Sequence, residues 1–464
     1  MNNKLVSLAL WCPVVLYFGY LLFFAVNVPQ LDDFGAIFVS VMDLKRSASF
    51  REFWYVLLNY HNEHRIAYTR LVAWLVSLLS GGVIDFRMLI ALGSLSLLGI
   101  WWVFYRAFCW MQRPLWYFVP VSFLLFQLQY FENTFFAMAS LQNFGVWCWS
   151  GLSLCLLIVP AETRQLRARF WAALGLAVLA TYTSGNGLLA LVVGGGVLLY
   201  LRRYRELLLW IPVACFILWA YLAGNKPLQQ GAVSVAWSDR IMAVPGFLGA
   251  FVGKSSAGLA GVAVVGTALW LSVVTLGGLP LLRTYREGRP VTDQTRARLL
   301  LTALFAVIFL TALAIALNRP PDDIVSTSRY KISSILAVIV AYLLLIQSFR
   351  SAWRPAVGRL FLLAGVGFCS FTYWKNTPFV ADLRSVLLQD AAEFAQNRAV
   401  SSWKKVAHFA PYKQWRMAVG NGLYLLPSGL FESETDREPR RQAMLMDTTR
   451  RAFPETVFRP SATP

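Results

Sequence analysis

The chain has 464 residues, of which 58% are hydrophobic and only 14% charged, yet its formal net charge is +19. A water-soluble chain of this size carries about 25% charged residues and amphipathic rather than solid apolar runs, so a soluble globular fold is excluded. The positive excess would suit a nucleic-acid partner, but it sits in short arginine-rich segments between apolar runs. No nucleic-acid-binding module is recognisable, and none is expected as a partner.

In chain order, apolar runs lie at 7–26, 88–108, 115–131, 143–160, 170–184, 187–201, 207–223, 257–282, 299–317, 332–348 and 359–374. Most reach the ~17 to 25 residues that cross a ~30 Å hydrocarbon core. This predicts an all-α polytopic membrane protein of about eleven transmembrane helices. The first run follows Lys4, is too long for a signal peptide and lacks a small-residue cleavage site, so it reads as a retained span. Arginines then fill alternate connections: Arg106 and Arg113; Arg164, Arg167 and Arg169; Arg202, Arg203 and Arg205; Arg283, Arg286, Arg289, Arg296 and Arg298; Arg350, Arg354 and Arg359. Placing these inside puts the N-terminus in the cytoplasm and every other connection outside.

Tyr68 to Ser80 is apolar but too short to span comfortably, and Ser40 to Tyr60 mixes charge with aromatics. Both read as helices lying in the outer interface. The expected organisation is a transmembrane domain over 1–374 with a first outer loop at 27–87, then a soluble outer tail over 375–464 whose charged end is disordered. All six cysteines fall in or beside apolar runs, which predicts no disulfide framework and no cysteine metal site.

With this topology the unusual polar residues face outward. The first outer loop holds Asp32-Asp33 and His61-Asn62-Glu63-His64-Arg65. Glu132-Asn133 follow Gln127 and Gln129, Gln142-Asn143 open the next span, and Thr183-Ser184-Gly185-Asn186-Gly187 join two short spans. A late outer loop carries Asp322-Asp323 and Ser328-Arg329-Tyr330. Carboxylates at the edge of a membrane are expensive and tend to mark function, and five such connections at one surface predict a single cavity. Each fragment also has a purely structural reading. His61 to Arg65 makes a polar turn, and Ser184 to Gly187 a tight reversal. Arg329 makes an interfacial anchor or an ion pair with Asp322 or Asp323. His61 and His64, at i and i+3 with Glu63 between them, leave a divalent metal open; no other cofactor is expected.

A span followed at once by a paired-acid motif, Leu31-Asp32-Asp33-Phe34, then a long first outer loop and a late Ser328-Arg329-Tyr330-Lys331, resembles the GT-C superfamily of membrane glycosyltransferases. The resemblance covers the architecture of the whole chain, through short motifs. It implies a polyprenyl-phosphate-linked sugar donor within the membrane lipid and a glycan, lipid or protein acceptor. It places the site on the periplasmic or exterior face of a bacterial inner membrane. It assigns Asp32 first and Asp33 second to the acceptor, as general base or metal ligand, and Arg329 to the donor phosphate. Our own reading adds Glu63 to the catalytic set, and His61, His64, Arg65, Glu132, Asn133, Asn186 and Tyr330 to substrate binding. The alternatives are a transporter or flippase, a ligase of whole lipid-linked glycans, and a structural assembly factor.

Overall fold

The computed structural model describes residues 3–62, 64–159, 163–224, 237–253, 258–396, 400 and 412–427. Among the described residues, eight helices are long and apolar enough to cross a membrane: Asn3–Phe24, Phe86–Met111, Ala137–Ile158, Tyr204–Leu222, Gly258–Arg286, Asp293–Asn318, Ser328–Ser348 and Arg354–Ala395. The chain is a multi-pass, all-α membrane protein. Helix is what this composition dictates, because hydrocarbon offers no partner to a backbone N–H or C=O. Three shorter apolar helices, Ala67–Leu79, Leu115–Leu125 and Gly185–Tyr200, accompany them, as does Thr163–Thr181.

The helices differ in how much of themselves they hide. Ala137–Ile158 and Ser328–Ser348 are each 78% buried along their apolar stretch and form the centre, whereas Tyr204–Leu222, at 11%, lies on the rim. On that rim Leu208, Phe216 and Trp219 point outward, and on the last long helix so do Leu360 and Leu363. In water such an apolar belt would drive aggregation; in a bilayer it is the lipid-facing surface.

Contacts sort the helix ends onto two faces. On one, Arg203 Nη1 donates to Leu157 O at 2.8 Å, Arg202 Nη2 to Tyr285 O at 3.3 Å, and Gln347 Nε2 to Gln294 O at 2.6 Å. On the other, Tyr68 N donates to Tyr182 O at 3.0 Å, Arg65 Nε to Tyr221 O at 2.9 Å, and Ile84 N to Leu423 O at 2.8 Å. The 27–85 loop, the 182–184 turn, the end of Tyr204–Leu222 and the chain near 423 therefore share one face.

Several boundaries differ from the sequence-based expectation. The run 115–131 is not one helix. A 3-10 turn, Leu115–Phe118, leads into Val119–Leu125, the helix stops at Phe126, and a short helix Phe131–Phe135 follows. The last helix does not end at 374 but runs from Arg354 to Ala395, so the tail begins as helix; past the membrane a helix needs only one apolar face. The helix Trp237–Gly249 was not expected. The first outer loop holds the two expected helical regions, as Ser40–Arg46 with Phe50–Leu58, and as Ala67–Leu79. Glu432 and the charged end lie outside the described residues.

Trp237–Gly249 crosses Gly258–Val273 backbone against backbone. A Cβ on Gly266 would lie 1.8 Å from Pro245 O, and one on Gly249 2.1 Å from Val262 O. Forcing a methyl into such a contact costs roughly 1–3 kcal/mol. Gly266→Ala should therefore lower the melting temperature of the detergent-purified protein. Gly196→Ala, where nothing lies within 4 Å of the added carbon, should leave it within error of the parent.

Candidate functional site

The acid pair sits on unusual backbone. Leu31 has φ +41°, a left-handed conformation that costs an L-residue roughly 1–2 kcal/mol. Directly after Asp33 the chain makes a π-helical turn, Phe34–Val39, a form that recurs at functional sites. The two acids diverge from there. Asp33 is 1% exposed, and its oxygens accept from Gln30 N at 3.1 Å and Met138 N at 2.9 Å. It ties the first outer loop to the start of Ala137–Ile158. Asp32 keeps 38% of its side chain exposed, with Oδ1 3.8 Å from His61 Nε2. That separation is an ion-pair contact, longer than a hydrogen bond.

His61 and His64 face each other across a two-residue antiparallel ladder, Tyr60↔Arg65 and His61↔His64, with Asn62 in the tight turn at φ +51°. Glu63 lies outside the described residues. Glycines make room for both rings: a Cβ on Gly35 would come within 3.3 Å of His61 Cε1, and one on Gly185 within 2.9 Å of His64 Nδ1. Asn186 is half-buried in the 3-10 turn Gly185–Gly187, next to the glycine under His64. Arg65, expected to bind substrate, has a structural task. Its guanidinium donates to Leu58 O at 2.5 Å, Tyr221 O at 2.9 Å and Ala223 O at 2.5 Å, and covers the Tyr60 ring at 4.2 Å. It caps the carbonyl end of Tyr204–Leu222, where a cation is favoured. Arg70, which the sequence did not single out, does the same for Phe50–Leu58 by donating to Val56 O at 3.0 Å and Leu57 O at 3.2 Å.

The third contribution comes from the break after Phe126. Arg329 Nε lies 3.8 Å from Glu132 Oε2, and Arg329 N donates to the same oxygen at 3.3 Å. The expected partners Asp322 and Asp323 are thus replaced by a carboxylate almost two hundred residues earlier. Asn133 Nδ2 donates to Arg329 O at 2.9 Å, Asn143 Nδ2 to Asn133 Oδ1 at 2.8 Å, and Gln142 Nε2 to Ser184 Oγ at 3.3 Å. Tyr330 packs on Phe247 with ring centroids 6.1 Å apart. Lys331 is within electrostatic reach of Glu132 and Lys375, so two lysines join this end of the cluster. The sequence signal for them was only their place at the outer ends of two spans.

The cluster is electrically coherent. His61 holds the Asp32 carboxyl below the usual carboxylate range, against the effect of burial, and Arg329 adds to the depression. Asp32 is thus a carboxylate at neutral pH, open to the surface, with His61 on one side and the Arg329 cation on the other. Burial pushes Asp33 the other way, up to about 8, against its two N–H donors. Among the described residues no three His, Cys, Asp or Glu side chains come together as a metal site. Comparison with protein-family models, with curated proteins and with solved structures found no match.

Because the folded pKa of Asp33 lies above its ordinary 3.8, the folded state holds the proton more tightly. The linked stability is complete below about pH 4 and is lost as pH rises through about 8. Asp33→Asn has no proton to release, but one amide N–H meets a backbone N–H, at a cost of about 1–3 kcal/mol. The variant should melt below the parent at pH 5, and its melting temperature should change less from pH 5 to 8.5 than the parent's. Equal slopes would show that Asp33 is ionised in the folded state.

Proposed function

We propose that the protein is a GT-C-type glycosyltransferase that moves a sugar from a polyprenyl-phosphate donor to a glycan, lipid or protein acceptor at the outer face of the membrane. The observation that carries this reading is that Arg329 lies within electrostatic reach of Asp32. They come from connections some three hundred residues apart, yet the Arg329 charge acts on Asp32. In the reaction Asp32 accepts the proton of the attacking hydroxyl as the new C–O bond forms at the sugar's anomeric carbon. The bond from that carbon to the phosphate oxygen breaks, and the phosphate leaves with both electrons. Arg329 takes up the growing charge through a fork that matches phosphate geometry. Lys331 and Lys375 add positive charge there, while three of Arg65's N–H groups are engaged by carbonyls.

The reading includes eleven crossings. The short helices Leu115–Leu125 and Gly185–Tyr200, with Thr163–Thr181, carry the chain between the two faces defined by the contacts above. Without them Glu132, Ser184 and Arg329 would not return to the side of Asp32. The arginine-rich connections then face the cytoplasm, which places the site in the periplasm of a bacterial inner membrane. A transporter would carry polar or broken-helix features at the bilayer midplane. Here the small space between the central helices is lined by Ile100, Val103, Phe104, Trp147, Gly151, Leu304, Ile308 and Leu336, with no charged side chain and only the Trp147 indole N–H as a polar group.

The reading is tested with short-chain prenyl phosphates bearing a hexose, a pentose or an N-acetylhexosamine. The purified parent, incubated with an extract of envelope lipids and glycans, should release prenyl phosphate from at least one of them. Asp32→Asn should abolish release without changing the melting temperature, and Arg329→Lys should raise the apparent donor KM about tenfold, as for loss of roughly 1–3 kcal/mol of charge-assisted bonding. No release from any donor, or full activity of Asp32→Asn, would sink the proposal. Orientation is checked separately: in intact cells an impermeant maleimide should label Ser80→Cys and spare Arg286→Cys. The reverse pattern would invert the topology.

A further inference from the structure

We infer that the stretch 412–427 is a positioning element for the acid pair, in which Trp415 and Tyr424 hold the Asp32–Asp33 turn through Phe34 and Phe38. What the acid pair does rests on the reading above; what holds its turn in place does not.

A left-handed leucine followed by a π-helical turn persists only where the surroundings over-determine it. The supports come from the far end of the chain. Trp415, fully buried, stacks on Phe394 with centroids 4.3 Å apart at 9°, and meets the Phe34 ring edge-on at 5.5 Å. Tyr424, also fully buried, packs on Phe38 at 5.3 Å and on Phe86 at 6.0 Å. Its hydroxyl donates to Asn27 O at 2.5 Å, and Asn27 Oδ1 accepts from Phe86 N at 2.8 Å. Leu423 O takes the N–H of Ile84 at 2.8 Å, and Arg46 Nη2 donates to Asn421 Oδ1 at 3.3 Å.

The helix Tyr412–Gly420 and the residues after it therefore form a wedge between the end of Arg354–Ala395, the π-helical turn and the start of Phe86–Met111. Aromatic stacks of this kind add directional contacts to the burial of the rings, so removing one loosens the turn they hold. Trp415 and Tyr424 touch neither acid; they act through Phe34 and Phe38, one and five residues beyond Asp33.

The test uses the full chain with its six cysteines replaced, and reads the turn directly. Ser40, 5% exposed and just past the π-helical turn, becomes Cys; Ser94, 0% exposed within Phe86–Met111, becomes Cys in a second chain as the control. In detergent both should react slowly with an impermeant maleimide. Trp415→Ala should raise the Ser40→Cys rate at least tenfold while Ser94→Cys stays protected, and Trp415→Phe, which keeps a ring against Phe394 and Phe34, should restore most of the protection. If Trp415→Ala does not fold, Tyr424→Phe, which loses only the bond to Asn27, should raise the Ser40→Cys rate several-fold. Unchanged protection of Ser40→Cys in every folded variant overturns the inference, as does opening of both sites together. No glycosyl transfer is measured, so failure of the transferase reading would leave this result standing.

Discussion

A backbone N–H or C=O at membrane depth must find a partner inside the protein, and that requirement bears hardest where the chain leaves its helix after Phe126. Leu128 N is met by Thr372 Oγ1 at 3.2 Å, Gln129 O by Ser328 Oγ at 3.2 Å, and Phe251 O by Gln129 Nε2 at 2.8 Å. Phe135 O accepts from Gln30 Nε2, and Met138 N donates to Asp33. Partners thus arrive from the 27–85 loop, the 319–330 connection and the last helix. Satisfying one broken helix gathers these connections and draws Asp32, Glu132 and Arg329 into a single cluster.

Much of this architecture was legible in the sequence, because hydropathy runs and arginine placement are local signals read by counting. Eight of the expected spans correspond to long apolar helices. What escaped had no local signature. The break at 126 looks like continuous apolar sequence, since Phe126, Leu128 and Tyr130 sit among the glutamines that serve it. The extension of the last helix to Ala395 runs past the apolar stretch, where hydropathy is silent. In the site, Asp32 and Arg329 stood out as charges at span ends, and so did Arg65. The sequence had no means of separating an arginine whose donors are taken by three carbonyls from one beside a carboxylate at the surface. That difference is tertiary.

The two acids illustrate the same point at one-residue resolution. Adjacent in sequence, they face opposite surroundings because the π-helical turn that follows bends the backbone beneath them. Asp33 turns inward to two N–H groups and is pushed up by burial; Asp32 turns outward, between His61 and Arg329, and is held down. Proteins set neighbouring carboxyls apart in this way when one serves structure and the other chemistry. The hairpin that carries His61 is fixed in turn by Arg65 at the end of Tyr204–Leu222, so this arginine shapes the site.

The pairing of Arg329 with Glu132 bears on how an anionic donor would be received. Both side chains are about two-fifths exposed and 3.8 Å apart. A contact of that kind is worth about 0–1 kcal/mol, since water screens it and both chains give up rotamer freedom to make it. It is strong enough to keep the guanidinium at the mouth of the cluster and weak enough to yield to a donor phosphate, whose two free oxygens match the guanidinium fork and which gains charge as the sugar leaves. Lys331 and Lys375 leave the cluster with more positive than negative charge even with Glu132 in place. A phosphate would therefore gain an attraction that the carboxylate had not exhausted, and Glu132, once displaced, is left within reach of Lys331. The carboxylate holds Arg329 in register without opposing the exchange that the proposed reaction requires.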